Sequence, residues 1–247
     1  MKSFRFLLSM SIFISLPLYA AQEHHHWGYS GQGNPENWGE LSQEFITCKI
    51  GKNQSPVNIS KSIPVQRQDL KISYPALSLK LENNGHTLQA SNIDQSPSIR
   101  IDDKTFMLKQ FHFHTPSEHT FKEQHFPMEA HFVHQSSQGE LAVLAVIFKA
   151  GKDNPTLAPI VRQSLKSGES VTLQQPSDIQ GLLPKKSTHL RLNGSLTTPP
   201  CTEGVTWVIL ETPVEAGSAQ IQAMEAMIGH NNRPVQPINS RLIIQEK

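Results

Sequence analysis

Six of the chain's 12 histidines fall between Gln110 and His134, in the stretch QFHFHTPSEHTFKEQHFPMEAHFVH. Side chains alternate faces along a β-strand. In Gln110-Phe111-His112-Phe113-His114 that alternation sets Gln110, His112 and His114 on one face, with Phe111 and Phe113 on the other. Two imidazoles two residues apart on one face can chelate a single metal ion. Glu129, His131 and Val133 share a face in the run Met128 to His134, so a neighbouring strand can supply His131 as a third nitrogen. Three histidines with an open fourth position are the ligand count of catalytic zinc. Gln110 and Glu129 lie on the faces of His112 and His131 and can accept the N–H that each ring does not use for the metal, which fixes the tautomer and raises ligand basicity. Other zinc patterns fail. The chain has no HExxH and no CxxC; HTPSEH from His114 is one residue too long for HxxEH, and Pro116 argues against a helix there. His119 reads as a packed structural histidine, His125 and His134 as surface or opposite-face residues.

These side chains need a sheet to hold them, and the surrounding pattern predicts one. Leu77 to Leu81 alternates with period two, and Asn83-Asn84-Gly85 follows as a turn. Thr87 to Ala90 and Ser98 to Ile101 read as short strands, Asp102-Asp103-Lys104 as a hairpin turn, and Phe106 to His114 as a further alternating strand. Leu141 to Lys149 is continuously apolar, as expected of a central strand buried on both faces. Helices are few: a short one capped by Asn154-Pro155 and running towards Leu165, and Ser218 to Ile228, where Ile221, Met224 and Ile228 share a face and Gly229 is a stop. Gln22 to Glu40 reads as an irregular arm pinned by Trp27, Tyr29 and Trp38. The expected fold is mainly β: one domain with a large, mostly antiparallel twisted β-sheet and peripheral short helices.

At 247 residues the chain is long enough for a sizeable core. Charged residues make up 17% and the net charge is +1, with no basic block, which argues against a nucleic-acid partner. Lys2 and Arg5 precede the apolar run Phe6 to Leu18, and Ala20 and Ala21 follow; residues 1–20 read as a secretory signal peptide, leaving 21–247 as a single mature domain. No later stretch is long and apolar enough to span a membrane, so no membrane association is expected after cleavage. In an exported protein the two cysteines, Cys48 and Cys201, favour a disulfide over a catalytic thiol.

Beside these readings stands a resemblance. QSPVNI from Gln54, FHFH, SEHT, EAHFVH, GSLTTPP from Gly194, VTW at Val205 to Trp207 and NNRPVQPIN from Asn231 occur together and in order. Over about His25 to Arg241 the chain resembles the α-class carbonic anhydrases, and the short step from His114 to Ser117 and the cysteine pair are similar to exported bacterial members. The resemblance implies a conical cleft with one Zn(2+) per chain on His112, His114 and His131, and reversible hydration of CO2 to bicarbonate and a proton by attack of zinc-bound hydroxide. It implies that Thr197 accepts from that hydroxide and donates to Glu118. The Thr197 N–H and the Thr198 hydroxyl would face the substrate. Val133, Val143, Leu196, Val205 and Trp207 would form an apolar wall for CO2, with Tyr29, Asn84, Gln89 and Thr198 as a polar wall. His86 would shuttle the proton, and His24 to His26 would lie near the cleft mouth. Anion and sulfonamide inhibitors, a monomer or homodimer, and a periplasmic or secreted location are further expectations. One departure stands out: Leu192 occupies a position where relatives carry a tyrosine that ties His119 to its surroundings, so the hydrogen bonding around His119 must differ.

Overall fold

The computed structural model describes residues 26–66 and 70–246; the expected signal peptide, His24 and His25 lie outside them. The strands are β1 (Asn58–Ile59), β2 (Ile63–Val65), β3 (Leu70–Ser73), β4 (Leu79–Asn83), β5 (Leu88–Asn92), β6 (Ser98–Ile101) and β7 (Lys104–His114). Then come β8 (Thr120–Phe121), β9 (Met128–Ser136), β10 (Leu141–Ala150), β11 (Ser170–Thr172), β12 (His189–Ser195), β13 (Glu203–Ala216) and β14 (Ile244–Glu246). Twelve of them form one mixed, twisted sheet in the order β11-β4-β5-β7-β9-β10-β13-β12-β14-β2, with β6 pairing both β7 and β3. Most pairings are antiparallel; β10–β13, β14–β2 and the separate pair β1–β8 are parallel. The helices are short: α1 (Trp38–Leu41), α2 (Thr47–Ile50), α3 (Ala158–Val161) and α4 (Ser218–Ile228). None among the described residues is long and apolar enough to cross a membrane.

The run at Leu141 is the central strand that its composition demands. Ala142, Leu144, Val146 and Phe148 of β10 enter the larger core, while Val143 and Ala145 enter a second apolar cluster on the other face. β13 divides likewise, with Val208 and Leu210 on the first side and Val205, Trp207 and Ile209 on the second. The sheet therefore separates two apolar layers, and the smaller one adjoins the histidines.

β7 is not one uninterrupted alternation. Phe106, Leu108, Phe111 and Phe113 all enter the larger core, although the first pair is even-numbered and the second odd. The register against β9 slips between Leu108 and Gln110, so Lys109 is the extra residue of a bulge. A one-residue slip moves all following side chains to the opposite face. The bulge thus turns Gln110, His112 and His114 away from the larger core while keeping Phe111 and Phe113 in it.

Other expectations need adjusting. β4 starts at Leu79, because Leu77 makes an isolated bridge to Ser177 instead. The helix expected from Asn154 towards Leu165 is the single turn α3: Asn154 Oδ1 caps the N–H groups of Thr156 and Leu157, and Ser164 adopts a left-handed φ of 47° that ends it. α4 spans the predicted residues, and Gly229 terminates it at φ 65°. Trp38 is fully buried, donates to Gly28 O and Gly33 O, and packs edge-on to Trp27 and Tyr29, so the arm is pinned as expected. Cys48 and Cys201 form a disulfide across 153 residues. Chain-entropy arguments give such a closure a ceiling of roughly 5 kcal/mol.

His134 is an opposite-face residue, and it is a buried one. Its ring lies in the larger core against Tyr74, whose hydroxyl is 2.7 Å from Nε2. Burial pushes its pKa down to about 3, whereas the unfolded chain titrates near 6.5. The unfolded state therefore binds a proton that the folded state refuses as pH falls below 6.5, and stability is lost down to about pH 3. At pH 4 the cost is on the order of 3 kcal/mol. Urea unfolding at pH 7 and pH 4 should find that His134→Asn, which removes the titrating group, loses less stability on acidification than wild type by about that amount.

Candidate metal centre

The register of β7 against β9 sets His112 directly opposite His131 and His114 opposite Glu129. Phe111 and Phe132 stack behind them at 4.9 Å between ring centroids, so the pair is held from the core side. On the near face the three imidazoles converge, and the free ring nitrogens of His112, His114 and His131 all lie within 4.8 Å of one another.

Each ring has its other nitrogen engaged. His112 Nδ1 is 2.8 Å from Gln110 Oε1, His114 Nδ1 is 2.8 Å from Asn231 O, and His131 Nε2 is 2.8 Å from Glu129 Oε1. All three partners are acceptors, so each of those nitrogens carries the proton. The lone pairs are left on His112 Nε2, His114 Nε2 and His131 Nδ1. His114 Nε2 is buried and has no hydrogen-bond partner in the protein. Burial lowers the pKa of His112 and His114, and the neighbouring histidines lower it further. Pre-oriented imidazoles with converging lone pairs fit a zinc ion.

Glu129 is the hub behind this face. Oε1 accepts from His131 and, at 2.7 Å, from His119 Nδ1; Oε2 accepts the backbone N–H groups of Glu118 and His119 at 2.8 Å each. Burial alone would raise its pKa, but electrostatic attraction to His119 and His131 and the hydrogen bonds from their rings outweigh that and hold it well below the usual range. His119 is fully buried against Trp207, as a packed residue should be, and its Nε2 has no partner. Leu192 packs in the smaller apolar cluster with Trp207. His125 is exposed, as the pattern suggested.

The remaining predicted residues collect on two sides. A cavity of about 120 Å³ is lined by His112, His114, Gln110, Tyr29, Asn84, His86, Gln89 and Thr198, together with Trp27 and Thr87. Val143, Val205 and Trp207 belong to the smaller apolar cluster, and Val133 and Leu196 pack against it. Trp207 carries this cluster up to the histidines, its ring 4.9 Å from that of His131. The loop after β12 is anchored at both ends. Trp207 Nε1 donates to Ser195 O, Leu196 N donates to Thr202 O, Cys201 N donates to Thr198 O, and the disulfide ties Cys201 to Cys48.

One expected contact is not made. Thr197 and Glu118 are both buried but share no hydrogen bond. Glu118 Oε1 instead receives the Arg233 N–H at 2.8 Å, and Oε2 has no partner, lying 3.6 Å from His114 Nε2 and 3.8 Å from His131 Nδ1.

Three residues to which the sequence patterns gave no part in the site matter here. Asn231 supplies the carbonyl that orients His114. Arg233, pushed down to about 10 by burial and pulled back by Glu118 and Tyr29, donates to Gln54 Oε1, Ser55 O and Cys48 O beneath the site. Trp27 stacks on His86 at 3.8 Å and 8°. The only trace of the first two in the sequence is the segment NNRPVQPIN, which carries no chemical pattern of its own.

Sheet and site define a class: a mixed β-sheet protein with a three-histidine centre facing a small cleft. The family model of the eukaryotic-type carbonic anhydrases matches residues 33–247. A carbonic anhydrase of Neisseria gonorrhoeae is 46% identical over 223 residues, 90% of this chain and 88% of that one. Among solved structures, a hyperthermostable carbonic anhydrase from an active hydrothermal vent chimney has 46% identity and a TM-score of 0.86, covering 90% of this chain and 100% of its own. The α-carbonic anhydrase of Thermovibrio ammonificans, in complex with the inhibitor sulfanilamide, has 43% identity and a TM-score of 0.85, covering 90% and 99%. The chain belongs to the eukaryotic-type, or α, carbonic anhydrase family, whose general activity is the hydration of CO2.

Glu129→Gln replaces a carboxylate serving four donors with one carbonyl oxygen and an NH2 group. Metal competition with a chromophoric chelator should find zinc affinity lower by about 10–100-fold, the usual cost of losing a partner behind a ligand.

Proposed function

We propose that the chain hydrates CO2 reversibly to bicarbonate and a proton, with one zinc ion held by His112 Nε2, His114 Nε2 and His131 Nδ1. The observation that carries this reading is the engagement of the second nitrogen of all three rings by an acceptor, which leaves three lone pairs converging. Zinc in such a site supplies a Lewis acid that brings the ionisation of water into the neutral range, a property for which carbonic anhydrase is the standard case.

The protein's own groups do the rest. Val133, Val143, Leu196, Val205 and Trp207 offer no hydrogen bond to compete for a nonpolar gas, so the apolar side of the site suits CO2. Thr197 would orient the attacking oxygen through its hydroxyl, with Glu118 as the acceptor behind it. The Thr197 N–H and the Thr198 hydroxyl would steady bicarbonate. Tyr29, Asn84, Gln89 and Thr198 would order water between the centre and His86, and His86 would take the proton out. Imidazole suits that step because its pKa lies near neutrality, and His86 is half-buried at the edge of the same cavity. Burial, and then His26, lower its pKa somewhat, which eases release of the proton to solvent.

Residues 1–20 would direct export, and the mature chain would work in the periplasm or outside the cell. The disulfide supports that location, since such bonds persist in oxidising compartments. Sulfonamide inhibition is expected from the sulfanilamide complex of the Thermovibrio relative.

Two measurements test the reading. Stopped-flow CO2 hydration by zinc-loaded protein should run far above the buffer blank, fall to it with a zinc chelator and return with added zinc; a rate equal to the blank throughout rejects the activity. His86→Ala should turn over more slowly in weak buffer and recover partly with imidazole, whereas unchanged turnover removes His86 from proton export.

A further inference from the structure

Asn231 is fully buried, and its side chain is fully engaged. Nδ2 donates to His86 O at 3.0 Å and to Phe113 O at 2.9 Å, while Oδ1 accepts from Thr115 N at 2.9 Å. The Thr87 hydroxyl also donates to Phe113 O, at 2.6 Å, and receives the Phe113 N–H at 3.2 Å. Phe113 lies between His112 and His114 on β7. Its carbonyl therefore takes two buried hydrogen bonds, one from the residue after His86 and one from a residue that also holds the His86 carbonyl. The turn before His86 is closed by its own hydrogen bonds, with Asn84 Oδ1 accepting from His86 N and Thr87 N and Asn84 N donating to Thr87 O, and Gly85 sits in it at φ 86°. The bonds of Asn231 and Thr87 to Phe113 O are what tie that closed turn to β7. With the backbone fixed in this way, the His86 ring rests flat on Trp27.

We propose that the Asn231 side chain and the Thr87 hydroxyl are positioning residues, a buried polar bracket that fixes His86 relative to the ligand strand β7. Without them the carbonyls of His86 and Phe113 lose buried donors, and the turn must shift to find water. A shift of about 1 Å is enough to cost a large factor in a step that depends on geometry. The kinetic part of this proposal rests on His86 exporting the proton; the structural part does not.

The test compares wild type with Asn231→Ala and Thr87→Val, the second being nearly isosteric. NMR of the full chain, with and without zinc, reads the His86 ring protons, which the Trp27 face shifts upfield. Both variants should move those resonances toward unstacked values. In weak buffer kcat should fall about tenfold, kcat/KM should fall by less, and imidazole should restore part of kcat. Unchanged His86 resonances in the folded variants overturn the bracket, as does an equal fall in kcat and kcat/KM without imidazole rescue. If Asn231→Ala does not fold, as judged by circular dichroism, Thr87→Val carries the same test. Failure of proton export itself is read separately, from His86→Ala, and leaves the NMR comparison to judge the bracket.

Discussion

The centre depends on the register between two strands. His112 faces His131 because β7 and β9 pair in one alignment, and that alignment holds only beyond the bulge at Lys109. Ahead of the bulge, even-numbered residues of β7 point into the larger core; after it, odd-numbered ones do. Had the strand kept one phase, His112 and His114 would enter the apolar layer, and Phe111 and Phe113 would face the cleft. The aromatic pairs Phe111–Phe132 and Phe111–Phe113 oppose that slip, since it would expose them. The packing of the core thus fixes which face carries the imidazoles.

Polar saturation does the finer work. Buried polar groups are costly unless bonded, and on this face nearly all are. Glu129 takes four donors, Asn231 five contacts through side chain and backbone, and the Arg233 guanidinium three acceptors. The buried atoms without a partner around the centre are few: His114 Nε2, Glu118 Oε2 and His119 Nε2. The first two face the space where the three lone pairs meet. The third belongs to the ring that packs against Trp207 of the smaller apolar cluster. So two of the three orphans border the three-histidine centre and one lies beside the apolar cluster.

What could be read from the chain was what depends on neighbours in sequence. Period-two alternation identified the ligand face of His112 and His114, and also the partners Gln110 and Glu129, because each lies two residues from its histidine. The continuous apolar run of β10 and the shared face of α4 were legible for the same reason. The bulge at Lys109 was not, since it appears only when β7 is laid against β9 and Phe106 and Leu108 prove to share a core with Phe111. Nor was the hold of Asn231 on His114, made by a backbone carbonyl 117 residues away that no residue type can signal. The α3 turn was overestimated because Ser164, an ordinary residue in a helical pattern, takes a left-handed conformation.

The distant contacts share a purpose. Asn231 and Arg233 lie two residues apart in one segment; the first reaches the His86 turn and the ligand strand, the second Glu118 and, through Cys48 O, the base of the disulfide. Cys201, across that disulfide, closes the loop bearing Thr197 and Thr198. The strand β7, the His86 turn and, through Cys48 and the disulfide, the threonine loop are therefore linked by Asn231 and Arg233, two buried residues near the C-terminal end of the chain. A sheet orients side chains well along its own strands but cannot fix the distance from a strand to loops at its margin. Here that distance is set by irregular backbone carrying buried hydrogen-bonding groups, Asn231 on the His86 turn and β7, and Arg233 on Glu118 and Cys48 O.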